Sequence, residues 1–566
     1  MNFGPPPVNV WLGKSFAGVV VARQRAGLDE ETLGFVLNTL KTVTDRRLGK
    51  EARLRLDDEE EFPLELVQEM LGPELGLHLL FLPEEVGGLG GGAYDLFRVS
   101  EEMARVDLGV ATAFLAIALG VDPIVVGGTD EQRRRWLGRI AEEGLIVAYG
   151  VTEPAAGSNV AAVHTVAKPV PGPDGTPAAY RLSGTKQFIT NGGVAQVYTI
   201  LAKAPDGPSF FVVERDAAGL SVGADEHKHG IRASNTAQVV LDEVEVPADQ
   251  LLGGVEGKGL EQANRVFGFT RLMVAAFGLG AGEEALARAV AYGLERQQFG
   301  APLYEKQGFT HKLIVPHAVR LEAARAYCEH VADRLDAGEA GLQVEGSVAK
   351  LFATEAGNAA ADASIQAHGG YGYTREYEVE KIRRDVRITT IYEGTSEIQQ
   401  SIIGAYRWRQ TVRSKGGFYR EMAAALRAAG GEEAAAKAAE ALAETVLACH
   451  RTRLPHEQHV LFELARLAAE VETAVALANK AIESDGAGDG YLSTFARLHG
   501  GAAARDVAHT GLRVLRGSGR YSEDELAAWH KAVGFEDLLA TADGELAVMN
   551  RAAELVGSRV RPGGAA

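Results

Sequence analysis

The sequence predicts an α+β protein, and three observations carry that expectation. Helical periodicity runs from about residue 29 to 144 and returns from residue 259 onward. Between them lie short Val-, Tyr- and Thr-rich runs separated by turns. The two patterns are segregated rather than alternating, so a β-module sits between helical modules. A chain of 566 residues is also too long for one core.

Residues 1–28, opened by three prolines, read as an N-terminal arm. An N-terminal helical domain follows over 29–147, with helices expected at Glu30–Lys41, Pro63–Leu71, Tyr94–Val106 and Glu131–Glu142. The stretch Gly109–Leu119 is apolar nearly all round and should be a buried helix. An antiparallel β-domain is expected over 148–254. Its strands are Val147–Val151, Val163–Ala167, Ala179–Leu182, Tyr198–Ala202, Ser209–Val213 and Gln238–Val246. Long helices, clearest at Gly259–Arg296 and Tyr304–Ala337, then build a helical domain over 255–407. An alanine-rich tail, 408–566, reads as an additional all-α domain, with one helix at His456–Ser484 and a break at Asp485–Gly490.

Composition narrows the function classes. A formal net charge of -18 disfavours nucleic acid and anionic lipid as general partners. It also requires that an anionic substrate be met by individually placed cations. The two cysteines, Cys328 and Cys449, form no CxxC or His/Cys cluster, so neither a disulfide scaffold nor a metal site is expected. The N-terminus has no basic region followed by an apolar run. No stretch reads as the roughly 20 apolar residues that span a bilayer. The expected location is cytoplasmic.

Four segments stand out chemically. Glu393, in Ile391-Tyr392-Glu393-Gly394-Thr395-Ser396, follows the apolar, β-branched Ile388–Ile391. A carboxylate at the edge of something buried has a raised pKa, which suits a base that takes a carbon-bound proton. Read alone, it is equally a solvated Glu at a turn. Tyr149–Ser158 offers hydroxyls and backbone N–H groups on a small-residue loop, and can approach a flat cofactor or simply end a strand. Lys186–Gly193 can be a second such loop or only a hairpin turn. Glu295–Gly300, with Gln307 and Gln366–Gly372, places an arginine beside glycine turns. That suits a pyrophosphate, but equally an ordinary helix stop. The glycine run Gly88–Gly92 follows no clear strand and carries no weight as a dinucleotide fingerprint.

Together these segments resemble the acyl-CoA dehydrogenase family over roughly residues 30–405, in its order and at its spacing. The tail from 408 and the Gly13-Lys14-Ser15-Phe16 arm resemble the very-long-chain branch, which adds a C-terminal helical domain. The resemblance implies an N-terminal helical domain, a β-domain, a four-helix-bundle catalytic domain, and FAD as cofactor. It implies that Glu393 removes the pro-R α-proton of an acyl-CoA while flavin N5 accepts the β-hydride. The enolate is then held by the base's backbone N–H and a ribityl hydroxyl. Tyr149, Val151, Thr152, Gly157 and Ser158 match the segment that lines the flavin ring, and Ser158 also matches a substrate contact. Phe188, Ile189 and Thr190 match the second flavin loop, with Phe188 where many members have Trp.

Arg296, Gln298, Phe299, Gln307, Gln366 and Gly370 match residues that hold the ADP half of FAD, largely across a subunit boundary, so at least a homodimer is implied. Thr395 and Glu397 match further FAD contacts, while Arg271 and Gly394 match contacts near the thioester. Some relatives take their base from the residue before that arginine. Here it is Thr270, which cannot serve, and the family's usual acid nearby is Gly268 or Phe269. Ala111 and Leu115 match the base of the acyl pocket, where a small and an apolar residue suggest long acyl chains. The resemblance also implies an electron-transfer flavoprotein as acceptor. An acyl-CoA oxidase and a scaffold protein on the same fold are the rival classes. The tail reads as a packing domain, and the cluster Arg407, Arg409, Arg413, Lys415 and Arg420 offers a peripheral membrane contact as the alternative.

Overall fold

The computed structural model describes residues 26–484 and 490–560. The N-terminal arm, with Gly13–Phe16, and most of the expected break after Ser484 lie outside the described residues. Two compact units result among the described residues: 407–484 with 490–545 form one, and 26–406 with 546–560 form the other. The helix at 545–559 therefore packs with the larger unit, and the additional domain is shorter than the expected 408–566.

In the larger unit the first helices are α1 (Glu30–Arg47), α2 (Lys50–Asp58), α3 (Leu64–Leu71), α4 (Ala93–Val106), α5 (Leu108–Gly127) and α6 (Asp130–Glu143). Local chemistry sets their starts. The Asp29 carboxylate accepts the Thr32 N–H at 2.7 Å, Asp107 accepts from Val110 at 3.1 Å, and Thr129 with Gln132 forms a capping box at α6. Helix α5 runs eight residues past the expected end, through Pro123. At 20 residues it is long and apolar enough to cross a membrane, contrary to the expectation that no stretch is. It lies mostly buried among the other helices and strands.

The sheet contains β1 (Val147–Gly150), β2 (Val166–Pro171), β3 (Pro177–Thr190), β4 (Val197–Ala204), β5 (Gly207–Glu214), β6 (Leu220–Asp225) and β7 (Thr236–Pro247). Its order is β1-β4-β2-β3-β7-β6, with β5 paired to β4. Most pairs are antiparallel as expected, but β1 runs parallel to β4, which makes the sheet mixed. Strand β6, which the sequence did not reveal, is largely exposed and so lacks an alternating apolar pattern.

Beyond the sheet come α7 (Gly259–Glu295), a hairpin of β8 (Gln297–Gln298) and β9 (Ala301–Pro302), and α8 (Gln307–Phe309). A single π-turn, Thr310–Ile314, interrupts the helix expected over Tyr304–Ala337. Then follow α9 (Val315–Asp336), α10 (Gln343–His368), α11 (Val379–Val386) and α12 (Ser396–Arg413). Helices α7 and α10 pack backbone to backbone. A Cβ on Gly357 would fall 2.0 Å from the Gly278 carbonyl oxygen and one on Gly278 2.7 Å from Thr354 Cα. Gly357→Ala should therefore destabilise the fold by about 1–3 kcal/mol. This sign opposes the gain of up to about 1 kcal/mol that alanine brings to an open helix. Thermal unfolding reads the difference.

The smaller unit comprises the C-terminal part of α12, α13 (Gly417–Ala428), α14 (Glu433–Arg451), α15 (Gln458–Ser484), α16 (Tyr491–Gly517), α17 (Glu523–Val533) and α18 (Phe535–Leu539). Here the expected basic cluster comes apart. Arg407 is buried and makes a two-bond pair with Glu472 at 2.7 and 2.8 Å, and Arg420 pairs with Glu444. Two of the five cations face partner carboxylates, which weakens a lipid-facing role. Helix α19 (Glu545–Arg559) ends the described chain.

Candidate active site

The segment carrying Glu393 is held from three sides. Lys381 of α11 is buried and donates to Asp107, at the start of α5, and to Asp385, both at 2.7 Å. Asp385 in turn accepts the Ile231 N–H of the β-domain at 2.6 Å. After α11 the apolar segment before Glu393 forms a short 3-10 turn, Arg387–Thr390. Glu393 adopts φ +53° and Gly394 φ +86°. A left-handed glutamate is an uncommon, strained conformation that must be held by its surroundings. Here Gln399 donates to the carbonyls of both Glu393 and Gly394 at 3.0 Å. The buried Lys350 ammonium donates to Gly394 O at 2.8 Å.

The Glu393 carboxylate accepts the Thr270 hydroxyl at 3.0 Å. Burial raises its pKa, and the Thr270 hydrogen bond and the charges of Arg271 and Lys350 oppose that rise. Thr270 thus stands beside Glu393 as a partner. Arg271, the next residue, is buried, donates to Gln343 O and Ser347 Oγ, and leaves its Nε without a partner. Asp122 of α5 and Tyr149 at the end of β1 also lie near enough to feel the Glu393 charge.

The two loops singled out in the sequence meet. The Gln187 N–H donates to Thr152 O at 2.9 Å. Lys186, fully buried, donates to Glu153 at 2.7 Å and to Val151 O at 3.3 Å. Glu153 also accepts the backbone N–H groups of His164 and Thr165. Although burial works against ionisation, these bonds hold Glu153 well below the usual carboxylate range. The register of β3 on β7 slips between Lys186 and Ile189. There Phe188 takes φ +57° and projects, 63% exposed. Ile189 points into the core, Thr190 is half-buried, and Gly157 and Ser158 are exposed on the first loop.

A second site lies elsewhere in the same unit. A cavity of about 570 Å³ is lined by Tyr292, Arg296, Gln298, Gln366, Gly369, Gly370 and Tyr371, among others. Phe299 beside it takes φ +51° and is 97% exposed. Gln307 is not part of that lining; its amide donates to Asn550 of α19 at 2.9 Å. No residue of 149–158, 186–193 or 393 lines this cavity. Thr395 caps α12, where it accepts the Ile398 N–H, and Glu397 is exposed on the first turn. Ala111 and Leu115 are closed into the core, so neither lines an accessible surface.

These features fit a flavin dinucleotide. A Cβ on Gly157 or Gly370 would meet nothing, leaving room for close approach. Arg296 beside Gly369 and Gly370 suits a pyrophosphate. The residues that sequence reasoning passed over are Lys350, Gln399, Thr270 as a partner, and Asp122. Only Asp122 left a signal, as the one charge in an apolar run of 20 residues.

Comparison with known proteins agrees. The acyl-CoA dehydrogenase N-terminal, middle and C-terminal domain models match residues 34–144, 148–244 and 257–406. An acyl-CoA dehydrogenase of Bacillus subtilis is 38% identical over 357 residues, 62% of this chain and 91% of the relative. The caffeyl-CoA reductase-Etf complex subunit CarC of Acetobacterium woodii is 34% identical over 370 residues, 64% of this chain and 94% of the relative. The structure of an acyl-CoA dehydrogenase complexed with FAD from Bacillus anthracis superposes with a TM-score of 0.80 at 25% identity. It covers 94% of this chain and 96% of its own, so the likeness extends into the additional helices. The chain belongs to the acyl-CoA dehydrogenase family and is an FAD-dependent oxidoreductase that acts on acyl-CoA.

Proposed function

We propose that Glu393 is the base that removes the α-proton of a saturated acyl-CoA, yielding the trans-2-enoyl thioester. The observation that carries this reading is the half-buried carboxylate of Glu393 on a left-handed backbone, hydrogen-bonded by Thr270 and raised in pKa by desolvation. When bound, FAD supplies the hydride acceptor. Glu393 takes the proton, and Thr270 aims the carboxylate. Gln399 and Lys350 hold the 393–394 backbone in the one conformation that presents it. Arg271 keeps positive charge near a developing enolate.

Arg296, Gln298, Gln366 and Gly370 hold the ADP half of the cofactor. Their cavity shares no lining residue with the Glu393 site, which supports a homodimer in which each copy completes its partner's flavin site. An electron-transfer flavoprotein is the acceptor, a reading supported by the Acetobacterium woodii relative's place in an Etf complex. A role in fatty-acid β-oxidation follows from this chemistry. Anaerobic titration of the flavin-loaded protein with saturated acyl-CoA thioesters of increasing length tests the reading. Bleaching of the flavin is expected, and its dependence on length reports the chain preference.

The Thr270 bond gives a signed prediction. The hydroxyl stabilises ionised Glu393, so Thr270→Val should raise the carboxyl pKa further. The base is active when ionised. The acid limb of the kcat/KM profile should therefore move to higher pH, by about one unit for a bond worth ~1.4 kcal/mol. A profile that stays in place would mean that Thr270 does not act on the base.

A further inference from the structure

Asp122 is the only charged residue of α5. Over residues 108–124 only Ala116, Leu119 and Asp122 are part-exposed, and every other residue is buried. Their spacing of three places them on one stripe of the helix. That stripe does not simply open to bulk solvent, because Asp122 Oδ2 is closed off from it and so is the Tyr149 hydroxyl. Neither atom has a hydrogen-bond partner among the described residues. Both groups lie near enough to feel the Glu393 charge, and Tyr149 also feels that of Asp122. The large majority of buried side-chain polar atoms in folded proteins are paired. Two such orphans within reach of the Glu393 charge mark a place suited to a partner from outside the described residues.

The chemistry of that partner follows from the two groups. Burial, and after it the charge of Glu393, push the Asp122 carboxyl up to about 8. Near neutral pH it is chiefly a neutral acid, with one O–H donor and a carbonyl acceptor. Tyr149, raised well above its usual range, keeps its phenolic proton. A group that both accepts and donates, such as an alcohol, satisfies both, whereas a methyl group leaves both unpaired. We propose that Asp122, with Tyr149 beside it, determines specificity by recognising a hydroxyl on the acyl group, so that hydroxyacyl thioesters are the preferred substrates. The proposal rests on the dehydrogenase reading above.

The test compares thioesters that differ only by CH₃ against OH. These are pentanoyl-CoA with 4-hydroxybutanoyl-CoA, and hexanoyl-CoA with 5-hydroxypentanoyl-CoA. Each is assayed with the flavin-loaded protein, and the readout is the ratio of kcat/KM, hydroxy over methyl. A site built for a hydroxyl discriminates strongly against the analogue that lacks it. The ratio should be about tenfold or more for at least one pair in the wild type. Asp122→Leu should invert it, and Asp122→Asn, whose amide still donates and accepts, should fall between. A wild-type ratio near one or below it in both pairs overturns the proposal, and means that water fills the polar spot. A ratio that Asp122→Leu leaves unchanged also overturns it. So does a variant whose defect is loss of FAD, since the carboxyl would then serve the cofactor. Failure of every thioester to bleach the flavin sinks the dehydrogenase reading itself, and the proposal with it.

Discussion

Glu393→Gln should lower the rate of flavin reduction by acyl-CoA about 10³- to 10⁴-fold, the range in which a positioned base contributes. The amide oxygen can still accept the Thr270 hydroxyl, so the substitution removes proton affinity while leaving the side chain placed. Anaerobic rapid mixing measures the reduction rate, and flavin absorbance before mixing shows whether the site is loaded. Thermal unfolding should change little. The wild-type carboxyl has a raised pKa because burial disfavours its charge, and Gln relieves that penalty. A variant that reduces its flavin at the normal rate would remove Glu393 from the role of base.

The second large effect lies in the β-domain. Lys186→Met should destabilise the protein by about 3–5 kcal/mol, the usual result of leaving one member of a buried ion pair uncompensated. Glu153 would keep its two backbone donors but lose the cation 2.7 Å away. The same substitution loosens the junction of the two loops that match the family's flavin-lining segments, where Lys186 reaches Val151 O and Gln187 reaches Thr152 O. The FAD content of the purified variant should therefore fall along with its denaturation midpoint. Adding Glu153→Gln removes the stranded charge and should recover part of the loss, which a double-mutant cycle measures. Additive effects of the two single variants would show that the pair does not act as a unit.

The wild-type pair also has a signed pH dependence. Glu153 is held ionised in the folded chain below its unfolded pKa. Its stabilising contribution is full above the ordinary carboxylate range and fades as pH falls through the folded value, near 2. Acid unfolding of wild type should be steeper than that of Glu153→Gln below about pH 4.5, and circular dichroism against pH would show it.

Local signals in the sequence were sufficient for much of the architecture. Capping residues such as Asp29, Thr129 and Gln132 lie next to the helix starts they set, so the beginnings of α1 and α6 were legible within a residue or two. The Val-rich runs of β4, β5 and β7 were legible because each is buried on at least one face. The change from helices to strands near Ile146 and back near Gly259 decided the fold class. The stretches that carry the Lys186–Glu153 pair, the 570 Å³ cavity and Glu393 were also visible, because their residue types cluster in sequence.

What the sequence could not reveal depends on partners distant along the chain. The parallel pairing of β1 with β4 joins segments about fifty residues apart, and no local periodicity encodes direction. The left-handed backbone of Glu393 is sustained by Gln399 and Lys350, the latter 44 residues from Gly394. Helix α19 returns to residues 304–311, where Tyr304 donates to Ala553 O and Gln307 to Asn550, and so diverts Gln307 from the role its position implied. The orphaned oxygen of Asp122 is likewise a tertiary fact, since a lone acid in an apolar run becomes informative only when none of the described residues pairs it. The sequence by itself determined most element types and the fold class, because short-range sterics and periodicity suffice for those, and its resemblance to the family pointed to the Glu393 segment. Tertiary structure alone decided which charges are buried, which are paired and which stand open beside the base, because desolvation and hydrogen bonding act between residues that only folding brings together.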